Sequence, residues 1–569
     1  MLLEELIQVA RGEVDVDLLL TNARVVNVFS GDIHRTNVAI SRTRIVGLGE
    51  YRAKRIIDLE GRYVAPGLID SHVHIESSML SIPEYARVVV PHGTTTVVID
   101  PHEIANVLGL DGIRYMLESS KGNPLSVYMM VPSCVPATHL ETAGSTLMAR
   151  DLAPLLREKW VAGLGEMMNY PGVLFRDPQV LAKLEAARGK AIDGHAPGLS
   201  GRDLAAYVAA GIGSDHECTT GDEAREKLRL GMHIMVREGT GARNLRDLLP
   251  IITAQNSRRC MFATDDRHPS DLLEEGHIDY LVRMAISLGL DPMIAIQMAT
   301  LNAAEYFGLR DKGAIAPGRR ADLVVLDDIE AFRVGMVFRG GELVARDGRP
   351  IDGEKPRPAI TLRSSMNVAP LSVEDFRIEA QGRRARIIDL VPGQIVTEQL
   401  LEEPKVRDGC VVADEQRDII KLAVVERHLA SGNVGRGLVR GFGLKWGAVA
   451  SSVAHDSHNI IVAGLSDEDM LAAVEETIRM RGGLVAVGRG RVLARLPLPI
   501  AGLMSDQSAE EVNGAMMRLR QVTSEMGCTL EDPFMALSFL ALPVIPTLKL
   551  TDKGLVNVIQ FKLVPLFVD

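Results

Sequence analysis

Cysteine is scarce in this 569-residue chain: five residues (Cys134, Cys218, Cys260, Cys410, Cys528), none in a CxxC pair. That spacing excludes a disulfide framework and a Cys-rich zinc site, and it fits a reducing cytoplasm. Positive charge is in deficit as well. Lys plus Arg number 63 against 74 Asp plus Glu, for a net charge of −11. Nucleic acid or an anionic membrane held by bulk electrostatics is thereby excluded, though a small nitrogenous substrate read by a pocket is not. No apolar run reaches the roughly 20 residues a bilayer span needs. The longest, from Phe534 to Pro546, is broken by Pro543. The first residues carry Glu4 and Glu5 with no unbroken apolar core, so they do not read as a secretory signal. There is no fixed-period repeat and no low-complexity linker.

What is present is the mix of a globular protein, 46% hydrophobic and 24% charged, with ample material for a large core. Residues 1–14 read as one short amphipathic helix. From Asp17, short β-rich runs such as DLLLTNARVVNV are separated by Gly, Asn and Asp turns. The same texture returns in ADLVVLDD and VGMVFRGGELVARDGRP. One small β domain built from both flanks (15–63 and 313–365) is therefore expected around an insert at 64–312. In the insert, eight apolar runs alternate with helix-like segments: VAPGLIDSH, TTTVVIDPH, LSVYMMVPS, VAGLGEM, KAIDGH, GIGSDH, HIMVREG and MFATDD. Near-continuous apolar strands alternating with helices predict a parallel sheet, and eight of them predict a (β/α)8 barrel. Residues 366–569 form a third region of α+β texture. There RIIDLVPG, DIIKLAVVERH, HNIIVAG and LVAVGRGRVLARL read as strands, and DEDMLAAVEETIRMRG reads as a helix capped by Ser466 and ended at Gly482.

The strongest chemical signal is His72-Val73-His74 at the end of an apolar run. Residues two apart on a strand share a face, so both imidazoles can grip one divalent ion. Taken alone the pair also reads as two polar residues at a strand end. Four further residues end later runs: Glu166, His195, His216 and Asp265, at gaps of 92, 29, 21 and 49 residues from His74 onward. With about 30 residues per βα unit, these gaps correspond to three, one, one and two units. Six ligands then converge on one barrel mouth, as a pair of divalent ions requires.

PGLIDSHVHIE resembles the metal-ligand signature of the amidohydrolase superfamily. The longer set of VIDPHEIANVLG, GLGEMMN, DGHAPG, GSDHECTT, FATDDRHP and SSVAHDSHN is similar to its bacterial adenine deaminase family. Many amidohydrolases use a carboxylated lysine on the fourth strand, where Glu166 stands here. The resemblance implies that His72, His74 and Asp265 hold one metal, that His195 and His216 hold a second, and that Glu166 bridges. Mn²⁺ or Fe²⁺ fits these ligands, with Zn²⁺ also compatible. It further implies hydrolysis of adenine to hypoxanthine and ammonia, with His455–Asn459 helping to close the active site.

Within that reading Asp265 is the candidate to take the water proton and pass it to the departing amine. Glu217 is a candidate second acid, against a competing reading as a solvated or capping carboxylate. Asp266, His102 and Glu103 are candidate substrate contacts, against a competing role in orienting ligands. His92 reads as structural, and His139, His233, His268 and His277 receive no role. No GxSxG elbow supports a serine nucleophile at His455–Asn459. The expected partners are adenine and a second copy of the chain in a dimer, in the cytoplasm. Two alternatives stay open: a cyclic amidase of the hydantoinase or dihydroorotase kind, and a metal-free barrel kept as a scaffold.

Overall fold

The computed structural model describes residues 3–351, 362–391 and 394–568. Part of the second small-domain segment (352–361) and the Pro392-Gly393 end of RIIDLVPG lie outside the described residues, as do Met1, Leu2 and Asp569. Eight parallel strands form the centre: β1 (Leu68–Val73), β2 (Thr94–Ile99), β3 (Ser126–Val131), β4 (Val161–Met167), β5 (Ala191–Gly194), β6 (Ser214–Asp215), β7 (His233–Arg237) and β8 (Cys260–Ala263). They pair as a five-stranded sheet, β5-β4-β3-β2-β1, and a three-stranded sheet, β6-β7-β8. Backbone bonds join the two sheets at both seams. Gly213 donates to the Ile192 carbonyl at 2.9 Å, and Asp265 donates to the His72 carbonyl at 3.0 Å. The sheet thus closes on itself. Every residue of β1 and β2 is buried, which is why these runs are continuously apolar rather than alternating.

Helices follow the strands where the sequence predicts them. Pro178–Ala186 begins at Asp177, whose carboxylate accepts from the Gln179 and Val180 amides. Gly201–Ala209 buries Leu204 and Tyr207. The flanking segments share one nine-stranded sheet. Its two parts meet where Tyr63–Pro66 pairs antiparallel with Leu323–Asp328. The N-terminal helix is shorter than expected, Leu3–Ala10. Its turn breaks at Arg11-Gly12, where Gly12 has a φ of +75°.

After residue 366 the chain builds a second nine-stranded sheet with helices on it. The capped helix runs Asp467–Arg479, and Ser466 accepts from the Asp469 amide. Two strand expectations are corrected. LVAVGRGRVLARL is a hairpin, Gly483–Gly488 and Arg491–Pro497, because Arg489-Gly490 turns with both φ angles positive. In HNIIVAG only Ile460–Gly464 is strand, and His458 lies before it in a loop with φ +55°. This C-terminal region docks on the barrel mouth through direct bonds. Ser505 donates to the Met79 carbonyl, Ala509 to the Glu84 carboxylate, and Asn459 to the Thr142 carbonyl, each at 2.8 Å. Among the described residues no helix is long and apolar enough to cross a membrane.

Candidate metal centre and cavity

The C-terminal ends of β1, β4, β5, β6 and β8 carry His72 and His74, Glu166, His195, His216 and Asp265, and the barrel brings all six together. His72 Nε2 and His74 Nε2 stand 3.1 Å apart. Glu166 Oε1 is 3.2 Å from His74 Nε2 and 3.7 Å from His72 Nε2. Asp265 Oδ1 is 3.4 and 3.8 Å from the same two nitrogens. On the other side, Glu166 Oε2 is 2.6 Å from His195 Nδ1 and 3.3 Å from His216 Nε2. The two oxygens of Glu166 therefore face two separate imidazole pairs.

Local chain geometry makes this convergence possible. A Cβ at Gly165 would overlap the Asp100 carboxylate, and one at Gly194 would overlap the Ser214 carbonyl. Each glycine lets its strand press against a neighbour just before a site residue. Asp100 also accepts from the Glu166 amide at 2.9 Å. Asp265 sits at φ +59°, a left-handed conformation that Asp tolerates better than most residues, and this turns its carboxylate back over the mouth.

The donor set suits divalent cations. His74 donates Nδ1–H to the Asp100 carbonyl at 2.9 Å, which fixes its tautomer and leaves the Nε2 lone pair facing inward. Burial, with His216 and His74 alongside, pushes His72 well below the usual imidazole range, so it presents a neutral nitrogen. Burial opposes charge on Glu166 and Asp265. His216 and His195 nonetheless hold Glu166 well below the carboxylate range, and Arg237 does the same for Asp265. Burial opposes charge on His74, His195 and His216 as well, but the facing carboxylates hold all three above the usual imidazole range. Imidazoles set against buried carboxylates form an N/O donor set typical of borderline metals.

Arg237, at the end of β7, went unnoticed in the sequence. It ends the strand within HIMVREG, one of the eight apolar runs, but an arginine is no metal ligand, so a search for ligands at strand ends passes over it. Its Nη1 donates to Asp265 Oδ2 at 2.6 Å and to Glu217 Oε1, and its Nη2 donates to Glu217 Oε2 at 2.9 Å. Glu217 does turn toward the mouth, with Oε1 3.5 Å from His216 Nε2. Asp266 accepts from the Ser77 hydroxyl at 2.5 Å. Burial and the adjacent Asp265 push Asp266 above the usual range.

A small, mostly apolar cavity opens beside Asp266. Ser77, Met79 and His268 line it from the barrel; His455, Phe534 and Met535 line it from the C-terminal region. His102 and Glu103, expected as substrate contacts, are not on this lining. They begin the helix His102–Leu108 that follows β2, and both are buried. His102 lies behind the metal residues, with its ring edge-on to His74 at 4.6 Å and Nδ1 3.5 Å from Glu166 Oε1. Glu103 reaches the C-terminal region instead, 2.9 Å from His455 Nδ1 and 2.8 Å from His458 Nε2. These three also sit close enough to share a cation. However, His458 Nδ1 accepts the Ala454 amide at 3.2 Å, which leaves its ring proton on the nitrogen facing Glu103. The cluster is an ion pair between domains. His92, read as structural, packs against Asp279 at 3.3 Å. His277, given no role, supports the carboxylate of Asp70 at 3.1 Å; Asp70 in turn accepts the His72 amide.

A closed parallel barrel with a cluster of His, Glu and Asp side chains at its strand ends defines the class, and the amidohydrolase family model matches residues 63–344. The adenine deaminase C-terminal domain model matches residues 394–562. The adenine deaminase of Desulfatibacillum aliphaticivorans is 56% identical over 566 residues, 99% of both chains. That of Methanothrix thermoacetophila is 54% identical over 572 residues, covering both chains completely. A crystal structure described as an adenine deaminase is 21% identical, covering 58% of this chain and 99% of its own, with a TM-score of 0.44. The chain belongs to the adenine deaminase family of amidohydrolases, and membership implies a divalent-metal site.

Proposed function

We propose that this protein hydrolyses adenine to hypoxanthine and ammonia at a pair of divalent cations, Mn²⁺ or Fe²⁺ ahead of Zn²⁺. His72, His74 and Asp265 would hold one ion, His195 and His216 the other, and Glu166 would bridge. The observation that carries the reading is the split contact of Glu166, one oxygen toward His72 and His74 and the other toward His195 and His216. A single carboxylate placed in this way suits two ions rather than one. When bound, the cations supply Lewis acidity that brings the pKa of water from 15.7 down to about 7.

The remaining work falls to side chains. Asp265, kept anionic by Arg237, takes the proton of the attacking water and returns it to the amino nitrogen leaving C6. Such proton transfer is worth roughly 10²–10⁴-fold. Glu217, oriented by Arg237, is assigned the second transfer: it carries the attacking water's other proton, given up as the C6 carbonyl forms, to a ring nitrogen. Asp266, on the cavity lining, is assigned contact with the base. The same reading takes the enzyme as a homodimer, which light scattering tests, in a reducing cytoplasm. Five unpaired cysteines, four of them buried, support that compartment.

The test is the ultraviolet spectrum of adenine incubated with metal-loaded protein, with a hydantoin as control. Conversion of adenine alone is the expected outcome. Turnover of the hydantoin alone would favour a cyclic amidase, and loss of neither would leave the scaffold.

A further inference from the structure

The imidazole of His455 is held more tightly than a loop histidine needs to be. Its Nδ1 faces Glu103 Oε1 at 2.9 Å, and its ring lies parallel to Phe539 at 4.7 Å with 18° between planes. Its own amide donates to the Ser538 carbonyl at 3.2 Å. With only 6% of its surface exposed, it still lines the cavity shared with Ser77 and Asp266. The two nitrogens of an imidazole leave the ring on different edges. With Nδ1 committed to Glu103, Nε2 is the ring nitrogen left to meet a ligand in the cavity that this residue lines.

Resting on the reading of the cavity as a purine pocket, we propose that His455 is a substrate-recognition residue supplied by the C-terminal domain, its Nε2–H donating a hydrogen bond to an acceptor nitrogen of the purine ring. Phe539 and Glu103 set the plane and rotation of the donor, so its direction is fixed before the base arrives. Burial works against charge on this ring, but the Glu103 carboxylate prevails and holds its pKa at about 9. Both nitrogens then carry protons near neutral pH, one for Glu103 and one for the ligand. On the barrel side Asp266 offers a carboxyl group. A purine base, which presents acceptor nitrogens and N–H groups around one flat ring, matches such a pairing of donor and carboxyl. The Glu103 contact also explains why the helix following β2 carries a buried carboxylate.

The experiment measures inhibition of the metal-loaded enzyme by adenine analogues lacking one ring nitrogen each (1-deaza-, 3-deaza- and 7-deazaadenine). It compares wild type, His455→Ala and His455→Gln, the last of which keeps an N–H donor near the Nε2 position. A bond from a charged donor is worth about 1.5–3 kcal/mol, or roughly 10- to 150-fold in affinity. The wild type is expected to lose that factor for one of the three analogues. His455→Ala is expected to bind adenine more weakly by the same factor and to show no further loss for that analogue, while His455→Gln recovers part of it. Metal content, measured in parallel, is expected to stay unchanged. If all three analogues lose as much affinity in His455→Ala as in wild type, the proposal is overturned. If the wild type binds neither adenine nor any analogue, it is the purine reading itself that fails.

Discussion

The metal centre and the cavity beside it are built in opposite ways. The centre draws its side chains from the ends of barrel strands, whose backbones are locked by parallel pairing and continuous burial. The cavity takes about two thirds of its lining from a domain that begins some 300 residues later and closes over the mouth through a few direct bonds. The first arrangement fixes distances between reacting groups; the second can vary its wall without disturbing them. On the proposed function, the chemistry falls to the barrel and recognition is shared between Asp266 and the C-terminal wall.

That division predicts where substitutions bite hardest. Asp265→Asn should lower kcat by about 10²–10⁴-fold, because an amide cannot accept the water proton, while the thermal melt stays close to wild type. Steady-state rates with metal-loaded protein check it; a near-normal rate would clear Asp265 of the proton role. Glu166→Gln should strike loading rather than turnover. A neutral amide bridges two cations poorly, so metal analysis should return clearly less than the wild-type stoichiometry, and an unchanged ratio would remove Glu166 from the bridge.

The two regions also differ in how far the sequence reveals them. Strand-end ligands recur at multiples of one βα unit, so spacing alone locates Glu166, His195, His216 and Asp265. Arg237 obeys the same rule and was missed only because arginine is not a metal ligand. No periodicity links Glu103 to His455. Their contact depends on how one domain docks on another, and a chain separation of 352 residues carries no trace of it. For the same reason the sequence shows Glu103 only by its place at a strand end and not by its contact with His455.

Glu103→Gln tests that docking through pH. The His455 pKa is raised from 6.5 to about 9, so its contribution to stability is complete below about pH 6.5 and is lost as pH rises through 9. Burial opposes charge on Glu103, but His455 and His458 hold its pKa well below 4.5; its contribution is therefore present above pH 4.5 and lost as pH falls below it. Breaking a buried pair by removing one partner costs about 3–5 kcal/mol. The melting-temperature gap between wild type and Glu103→Gln should be widest between about pH 5 and 6.5 and narrow toward pH 9. A gap that does not change with pH would mean that Glu103 acts by packing alone.

The smallest effect is expected on the outer side of the C-terminal domain, and it sharpens the contrast most. The helix Asp467–Arg479 covers the second nine-stranded sheet with Met470, Ala473 and Val474, and none of its residues lines the cavity. Its N-terminus depends on the Ser466 hydroxyl, which accepts from the Asp469 amide at 3.2 Å. Ser466→Ala leaves that amide without its partner, at a cost of about 1 kcal/mol. Loss of the cap loosens the helix without altering any contact between the domain and the barrel mouth. The melting temperature should therefore fall by a few degrees while kcat and KM for adenine stay within about 1.5-fold of wild type at 25 °C, since the domain remains almost wholly folded there. If KM rises in step with the lost stability, the cavity wall is coupled to the whole domain and is not a separable surface resting on the barrel.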